Sequence, residues 1–345
     1  MTRVLEVVAG LTLKNLRPRI WVRRSPEFTR GLTAVMLSFD EFRQRPLFCR
    51  RAMTEGLSSV LGIEPPATGA TGLRIYLDNG AFACLRRGDE PRIEEFHRFV
   101  AAARPSWYPV PADFIPRPSD SRRRQRRLFE RTLEVMETHA HNGFCPVVHP
   151  GPWLDGYLEA LQRLGQTRQL ALGGLVPHLL NSAGAQRRQT ITHLRRIRRE
   201  FPGKMHAFGI GGIVTLHLAA ALGVDSADSS GWRQRASRGL VILRGRGERQ
   251  AIKLGTWHGK TVTDDEWQEL RRCRCPGCRR RGDAGLRELG IAGFAHRAVH
   301  NLTILLEEAS VINRHLARGD FPAWSARRVR GNPMADLVAQ ALEGA

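Results

Sequence analysis

Short apolar runs recur along the chain at Leu32–Phe39, Leu73–Leu77, Trp107–Ala112, Phe144–His149, Gln169–Leu175, Met205–Ile210, Val224–Asp228 and Gly239–Leu243. Runs of this length, bounded by turn-forming residues, read as buried strands. The gaps between them carry helical periodicity. Over residues 121–141, Leu128, Thr132, Leu133 and Met136 share one face, after a polar start at Ser119-Asp120-Ser121 and before a stop at Gly143. Over residues 186–201, Ile191, Leu194, Ile197 and Phe201 form an apolar stripe with the arginines off it. Val214–Leu222 is a short Ala/Leu helix ending at Gly223.

Strand alternating with helix about eight times predicts an α/β protein with a parallel sheet, and eight units predict a closed (β/α)8 TIM barrel. A doubly wound open sheet is the alternative, because periodicity does not show closure. The expected division is an N-terminal segment at 1–30, a barrel core at 31–262, a zinc-binding subdomain with a C-terminal helix at 263–318, and a basic tail at 319–345. Leu302, Leu305, Leu306, Ile312 and Leu316 mark the apolar face of that last helix.

Composition narrows the class. A hydrophobic fraction of 42% over 345 residues supports a full core, and no apolar run is long enough to span a membrane. The N-terminus has no convincing signal-peptide cleavage site. Cys49, Cys84 and Cys145 are scattered and read as reduced thiols, which together predicts a cytoplasmic protein. Fifty-four Lys plus Arg against 33 acids give a net charge of +21. Such an excess attracts polyanions by releasing their condensed counterions, so a nucleic acid is the expected partner. An arginine-rich solvated surface accounts for part of the excess, yet arginine's planar fork also suits phosphate better than lysine does.

The most specific chemistry lies near the C-terminus. Cys273-Arg-Cys275-Pro-Gly-Cys278 is followed by His300-Asn301. Three thiolates and one imidazole make a full tetrahedral set for Zn²⁺, and Pro276-Gly277 supplies the turn that lets Cys275 and Cys278 face one ion. Four protein ligands leave no position open for water, so the expected metal is structural and the reactive groups lie elsewhere.

In a β/α barrel, chemistry sits where the strands end. Those positions read Asp78-Asn-Gly-Ala-Phe82, Asp113-Phe114, His149-Pro-Gly151, Gly173-Gly-Leu175, Phe208-Gly-Ile-Gly-Gly212 and Asp225-Ser-Ala-Asp228-Ser-Ser-Gly-Trp232. A single Asp there is more often a helix cap than a catalyst. Acids, glycines and aromatics on one rim point to a site. The G-x-G-x-x-G dinucleotide fingerprint is absent, so no nicotinamide cofactor is expected.

These motifs, with the Cys-x-Cys-x-x-Cys…His-Asn set, resemble the tRNA-guanine transglycosylase superfamily over roughly residues 70 to 305. Members of that superfamily are zinc-containing (β/α)8 barrels that exchange a guanine in nucleic acid for a 7-deazaguanine. The resemblance implies that Asp228 is the nucleophile and Asp78 the general acid/base. It implies a base slot walled by Phe82 and Phe208, with Asp113, His149, Gly173, Gly174, Leu175 and Gly209 around the base. His149-Pro-Gly151 departs from the Gln-Gly usual there. A retaining double displacement through a covalent Asp–sugar C1′ intermediate needs this pair of carboxylates. Such relatives often dimerise or act with accessory proteins, so either is an expected partner.

Two departures favour the superfamily's DNA-modifying branch over its tRNA enzymes. Asp78-Asn-Gly-Ala-Phe82 replaces Asp-Ser-Gly-Gly-aromatic-Gln. Ser229-Ser-Gly-Trp-Arg-Gln-Arg-Ala-Ser-Arg238 stands where tRNA enzymes carry Cys-x-x-Pro-Thr-Arg. The expected substrates are therefore DNA and a preQ0-like 7-deazaguanine, with tRNA or a non-catalytic binding role as alternatives. Arg233, Arg235 and Arg238 are expected to grip phosphates, and Trp232 to stack on a neighbouring base or pack at the rim. Arg122-Arg-Arg-Gln-Arg-Arg127 is either a second phosphate grip or a solvated helix face.

Overall fold

A computed structural model of the chain describes residues 3–63, 72–165, 168–256 and 259–343. Seven parallel strands form one sheet in the order β3-β2-β1-β7-β6-β5-β4. They are β1 Glu6–Gly10, β2 Ala34–Ser38, β3 Arg74–Asp78, β4 Val147–Val148, β5 Gln169–Leu172, β6 Lys204–Ala207 and β7 Ser226–Ser229. The two edges meet a shared segment. Trp107 bridges to Tyr76 of β3, and Pro109 bridges to Cys145 just before β4. The Leu77 N–H donates to the Trp107 carbonyl at 2.9 Å and the Val110 N–H to the Cys145 carbonyl at 2.8 Å. The segment is thus an eighth parallel position that completes the ring. Pro109 and Pro111 bring no N–H to a ladder, which reduces this position to isolated bridges.

The barrel differs from the expected one in which segments build it. Residues 1–30 do not stand apart, because β1 pairs with both β2 and β7 in the middle of the sheet. Gly239–Leu243 is not a barrel strand. Leu240–Leu243 (β8) instead pairs antiparallel with Gly247–Gln250 (β9) as a two-stranded ribbon. Val241, Leu243, Val262, Trp267, Leu270 and Leu286 make a small second core with the three clustered cysteines. The metal-type subdomain therefore begins near 240 rather than 263. The long helix Gly290–Arg318 ties it to the barrel, and the expected basic tail folds into helices Phe321–Arg328 and Ala335–Leu342.

Strands buried on both faces need near-continuous apolar runs, and β1, β2 and β3 hold Val7, Val8, Val35, Leu37, Ile75 and Leu77 in the core. Among the described residues, no helix is long and apolar enough to cross a membrane. The parallel register sets the strand ends side by side, with Ser38 opposite Asp78 and Val8 opposite Asp228.

Candidate active site and metal centre

The carboxylates converge at the C-terminal ends of the strands. Asp78 Oδ2 accepts from Ser38 Oγ at 3.0 Å and from the Gly80 N–H at 3.1 Å. Burial pushes the Asp78 pKa up to about 7. The Ser38 hydrogen bond opposes that rise, while the charges of Asp113 and Asp228 add to it. A carboxyl poised there holds a proton and releases it near neutral pH, as a general acid/base must. Behind the turn, Arg87 grips Asp40 through both guanidinium nitrogens at 2.6 and 2.9 Å and pins the helix that follows.

Asp228 has one oxygen committed. Oδ1 accepts from the Gly209 N–H at 2.9 Å and lies 3.4 Å from His206 Nε2. Gly209 has φ +76°, a conformation that side-chain-bearing residues rarely adopt, and this turn aims its N–H at the carboxylate.

Asp113 is held on both oxygens. Oδ1 accepts from Asn79 Nδ2 at 2.8 Å, Oδ2 is 2.9 Å from His149 Nε2, and His149 Nδ1 is 3.0 Å from the Tyr157 hydroxyl. His149 is 1% exposed with both ring nitrogens in use, so it orients Asp113 and presents no edge to a base. Gly173 leaves the space that this imidazole fills, since a Cβ there would lie 2.7 Å from Nε2. Gly174 backs onto the same ring, and the Leu175 side chain is in the core. Phe82 is 42% exposed on the helix Ala81–Arg87. Phe208 is half-buried against Trp107 and His206.

The segment after Asp228 corrects two expectations. Trp232 is fully buried, so no ring face is open for stacking. Arg233 is also buried and donates to the backbone carbonyls of Arg17 and Asn15 at 2.8 and 2.6 Å, clamping the N-terminal segment. Arg235 is paired with Glu248 at 2.5 Å, and of the three only Arg238 is exposed. A helix starting at Gly231 turns its apolar and arginine side inward over β8 and the helix Gly290–Arg318, and Asn301 caps the Trp232 carbonyl. By contrast, Arg122, Arg123 and Arg127 are exposed at the start of the helix Arg122–His139. The Arg122 guanidinium lies over the Trp153 ring.

Cys273, Cys275, Cys278 and His300 form one buried group whose ligand atoms all lie within 4.8 Å of one another. His300 Nδ1 is 3.6, 3.7 and 3.5 Å from the three Sγ atoms. Tetrahedral Zn²⁺ with ordinary Zn–S and Zn–N bonds requires an S···N separation of about 3.6 Å, so the set fits the ion. His300 Nε2 is 2.9 Å from the Ile242 carbonyl, which fixes the tautomer that leaves Nδ1 free to ligate. The four residues would hold the metal and lock β8 to the helix Gly290–Arg318.

Ser38, Asn79, Tyr157 and His206 do not stand out in the sequence. A polar residue inside an apolar run, as His206 is within Met205–Ile210, is the signal that could have found one of them.

A parallel barrel with three carboxylates at one mouth and a buried Cys3His group able to hold a metal is the β/α-barrel class that the fold and site define. The family model described as queuine tRNA-ribosyltransferase matches residues 71–334, well over half the chain. The chain belongs to that family, whose members are transferases that exchange guanine in nucleic acid. β1 and β2 precede the matched residues, yet they complete the sheet and supply Ser38. No curated protein matches the chain significantly.

Proposed function

We propose that the protein replaces guanine in DNA by a 7-deazaguanine through a covalent intermediate on Asp228. The observation that carries this reading is the pairing of two dissimilar carboxyls at one mouth. Asp228 accepts the Gly209 N–H on one oxygen and leaves the other to the substrate, and Asp78 is pushed up to about 7. In the first step the free Oδ2 of Asp228 attacks C1′ and the C1′–N bond breaks. Guanine leaves with that electron pair and takes the proton of Asp78. The incoming base returns its proton to Asp78 and its nitrogen electron pair to C1′, releasing the carboxylate. Asp113, held on both sides by Asn79 and His149, faces the base edge. Phe82 and Phe208 offer phenyl faces to a ring flipped from its stack.

The DNA reading rests on the departures of residues 78–82 and 229–238 from the tRNA-enzyme motifs, while the burial of Trp232 and Arg233 withdraws both as contacts for either nucleic acid. The phosphate grip then falls to the exposed Arg122, Arg123, Arg127 and Arg238. A tRNA substrate is the second reading, favoured by the family description itself. Incubation with preQ0 and either plasmid DNA or bulk tRNA, followed by nucleoside mass spectrometry, separates them. A deazapurine deoxynucleoside absent with Asp228→Asn is expected. A ribonucleoside product moves the protein to tRNA, and no product from either nucleic acid refutes the exchange.

A further inference from the structure

We propose that His206 is a positioning residue for Asp228, held from behind by Ser226 in the barrel core. The proposal deepens the reading of Asp228 as nucleophile and rests on it.

His206 sits on β6 and is 3% exposed. Its ring is caged by Tyr76, Trp107 and Phe208, with centroids at 5.5, 4.8 and 5.0 Å. A ring so packed keeps one orientation. Nδ1 lies 2.8 Å from Ser226 Oγ, and Nε2 is buried with no hydrogen-bond partner, 3.4 Å from Asp228 Oδ1. A buried polar nitrogen left unpaired is costly, and catalytic hydrogen bonds that are long in a free enzyme tighten when substrate binds. The partner within reach is the nucleophile.

The Ser226 hydroxyl, 2.8 Å from Nδ1, is the group behind the ring. Donating to Nδ1, it places the imidazole proton on Nε2, facing Asp228. Tyr76, His206, Ser226 and Glu6 also line a cavity of about 1340 Å³ at the N-terminal mouth. The ring therefore separates that cavity from the nucleophile.

With Gly209 and His206 both on Oδ1, the lone pair that attacks C1′ belongs to Oδ2, which has no hydrogen bond among the described residues. When Oδ2 bonds to C1′ and guanine departs with the glycosidic electron pair and the Asp78 proton, Oδ1 becomes the ester carbonyl. When the new base displaces the ester, charge returns to the carboxylate. By holding Oδ1, the His206 N–H keeps Oδ2 turned toward C1′ for the attack, and it meets the charge that returns when the ester is displaced.

The test measures single-turnover formation of the covalent protein–nucleic acid adduct on plasmid DNA and on bulk tRNA. It is paired with the KM for labelled guanine in exchange and with the melting temperature. His206→Phe keeps the ring and its packing but removes the donor. Its adduct rate should fall about 100-fold with KM for guanine and melting temperature held, the scale of misplacing a reacting group by about 1 Å. His206→Gln restores an N–H at similar reach and should recover to within about tenfold of wild type. Ser226→Ala leaves the ring in place but frees its tautomer, and should slow the adduct about tenfold even if the Phe variant is unstable. A Phe variant within about threefold of wild type, equal losses for Phe and Gln, or an unaffected Ser226→Ala overturns the proposal. Asp228→Asn, run alongside, must give no adduct. Adduct formed as well by Asp228→Asn, or by neither protein, sinks the nucleophile reading and this proposal with it. Loss in Asp228→Asn alone sinks only this proposal.

Discussion

Removing the Ser38 hydroxyl should move the alkaline limb of the reaction. Ser38 Oγ donates to Asp78 Oδ2 at 3.0 Å and is the strongest influence holding the Asp78 pKa down against burial. A hydrogen bond to a charged group contributes about 1.5 kcal/mol net, and 1.36 kcal/mol corresponds to one pH unit. The Gly80 N–H stays on the same oxygen, so Ser38→Ala should raise the Asp78 pKa by about one pH unit, from about 7 toward about 8. The departing guanine needs the protonated acid. Activity governed by that step is full below the Asp78 pKa and lost as pH rises through it. Measured as kcat/KM for labelled guanine exchange between pH 5.5 and 9, the alkaline limb of Ser38→Ala should sit about one pH unit above that of wild type. An unmoved limb would mean that Asp78 is not the group titrating, and a limb moved downward would reverse the sign of the argument.

Other consequences follow from the same geometry. Because folding raises the Asp78 pKa, its contribution to stability is complete below the unfolded value of about 4 and lost as pH rises through about 7. The melting temperature of Asp78→Asn should therefore fall less than that of wild type between pH 5 and 8. Chelation, or Cys278→Ser, should remove one metal per chain by elemental analysis and lower the melting temperature sharply, since such sites contribute on the order of 10 kcal/mol. Trp232→Ala should destabilise the fold by about 3–5 kcal/mol in chemical denaturation while leaving nucleic-acid affinity per folded molecule unchanged. Replacing Arg122, Arg123 and Arg127 together by Ala should flatten the slope of log K against log salt by about 0.9 for each phosphate no longer neutralised, whereas Arg238→Ala alone should change it by at most one such step.

Much of this protein is written in local pattern. Runs such as Ile75–Leu77 and Leu170–Leu172 read as strands because the middle of a parallel strand buried on both faces has to be apolar, and that is visible without a fold. The Cys273, Cys275, Cys278 and His300 group is legible because few structures other than a metal site need three thiols so closely spaced. The strand ends are readable because a barrel's chemistry lies there, which is how Asp78, Asp113 and Asp228 can be grouped before any coordinates are known.

What local pattern leaves open depends on which partners the chain meets. Glu6–Gly10 is a mixed, short segment, and only its pairing with β2 and β7 makes it a central strand. Leu240–Leu243 is as apolar as any barrel strand, yet it pairs with β9 because the ring is already complete through residues 106–110. Arg233 and Arg122 are the same residue type in similar basic runs. One is clamped on the carbonyls of residues 15 and 17 and the other meets solvent, and no spacing distinguishes them. Whether Trp232 stacks on a base or packs is open along the chain for the same reason, and folding buries it. Which elements form, and which residue types can carry chemistry, follow from short-range periodicity and from the bonding of thiols, imidazoles and carboxylates, so both are legible along the chain. Which strand closes the barrel, which arginines remain free and which side chain backs Asp228 emerge only on folding. Burial and hydrogen-bond pairing are set by contacts between residues distant in the chain.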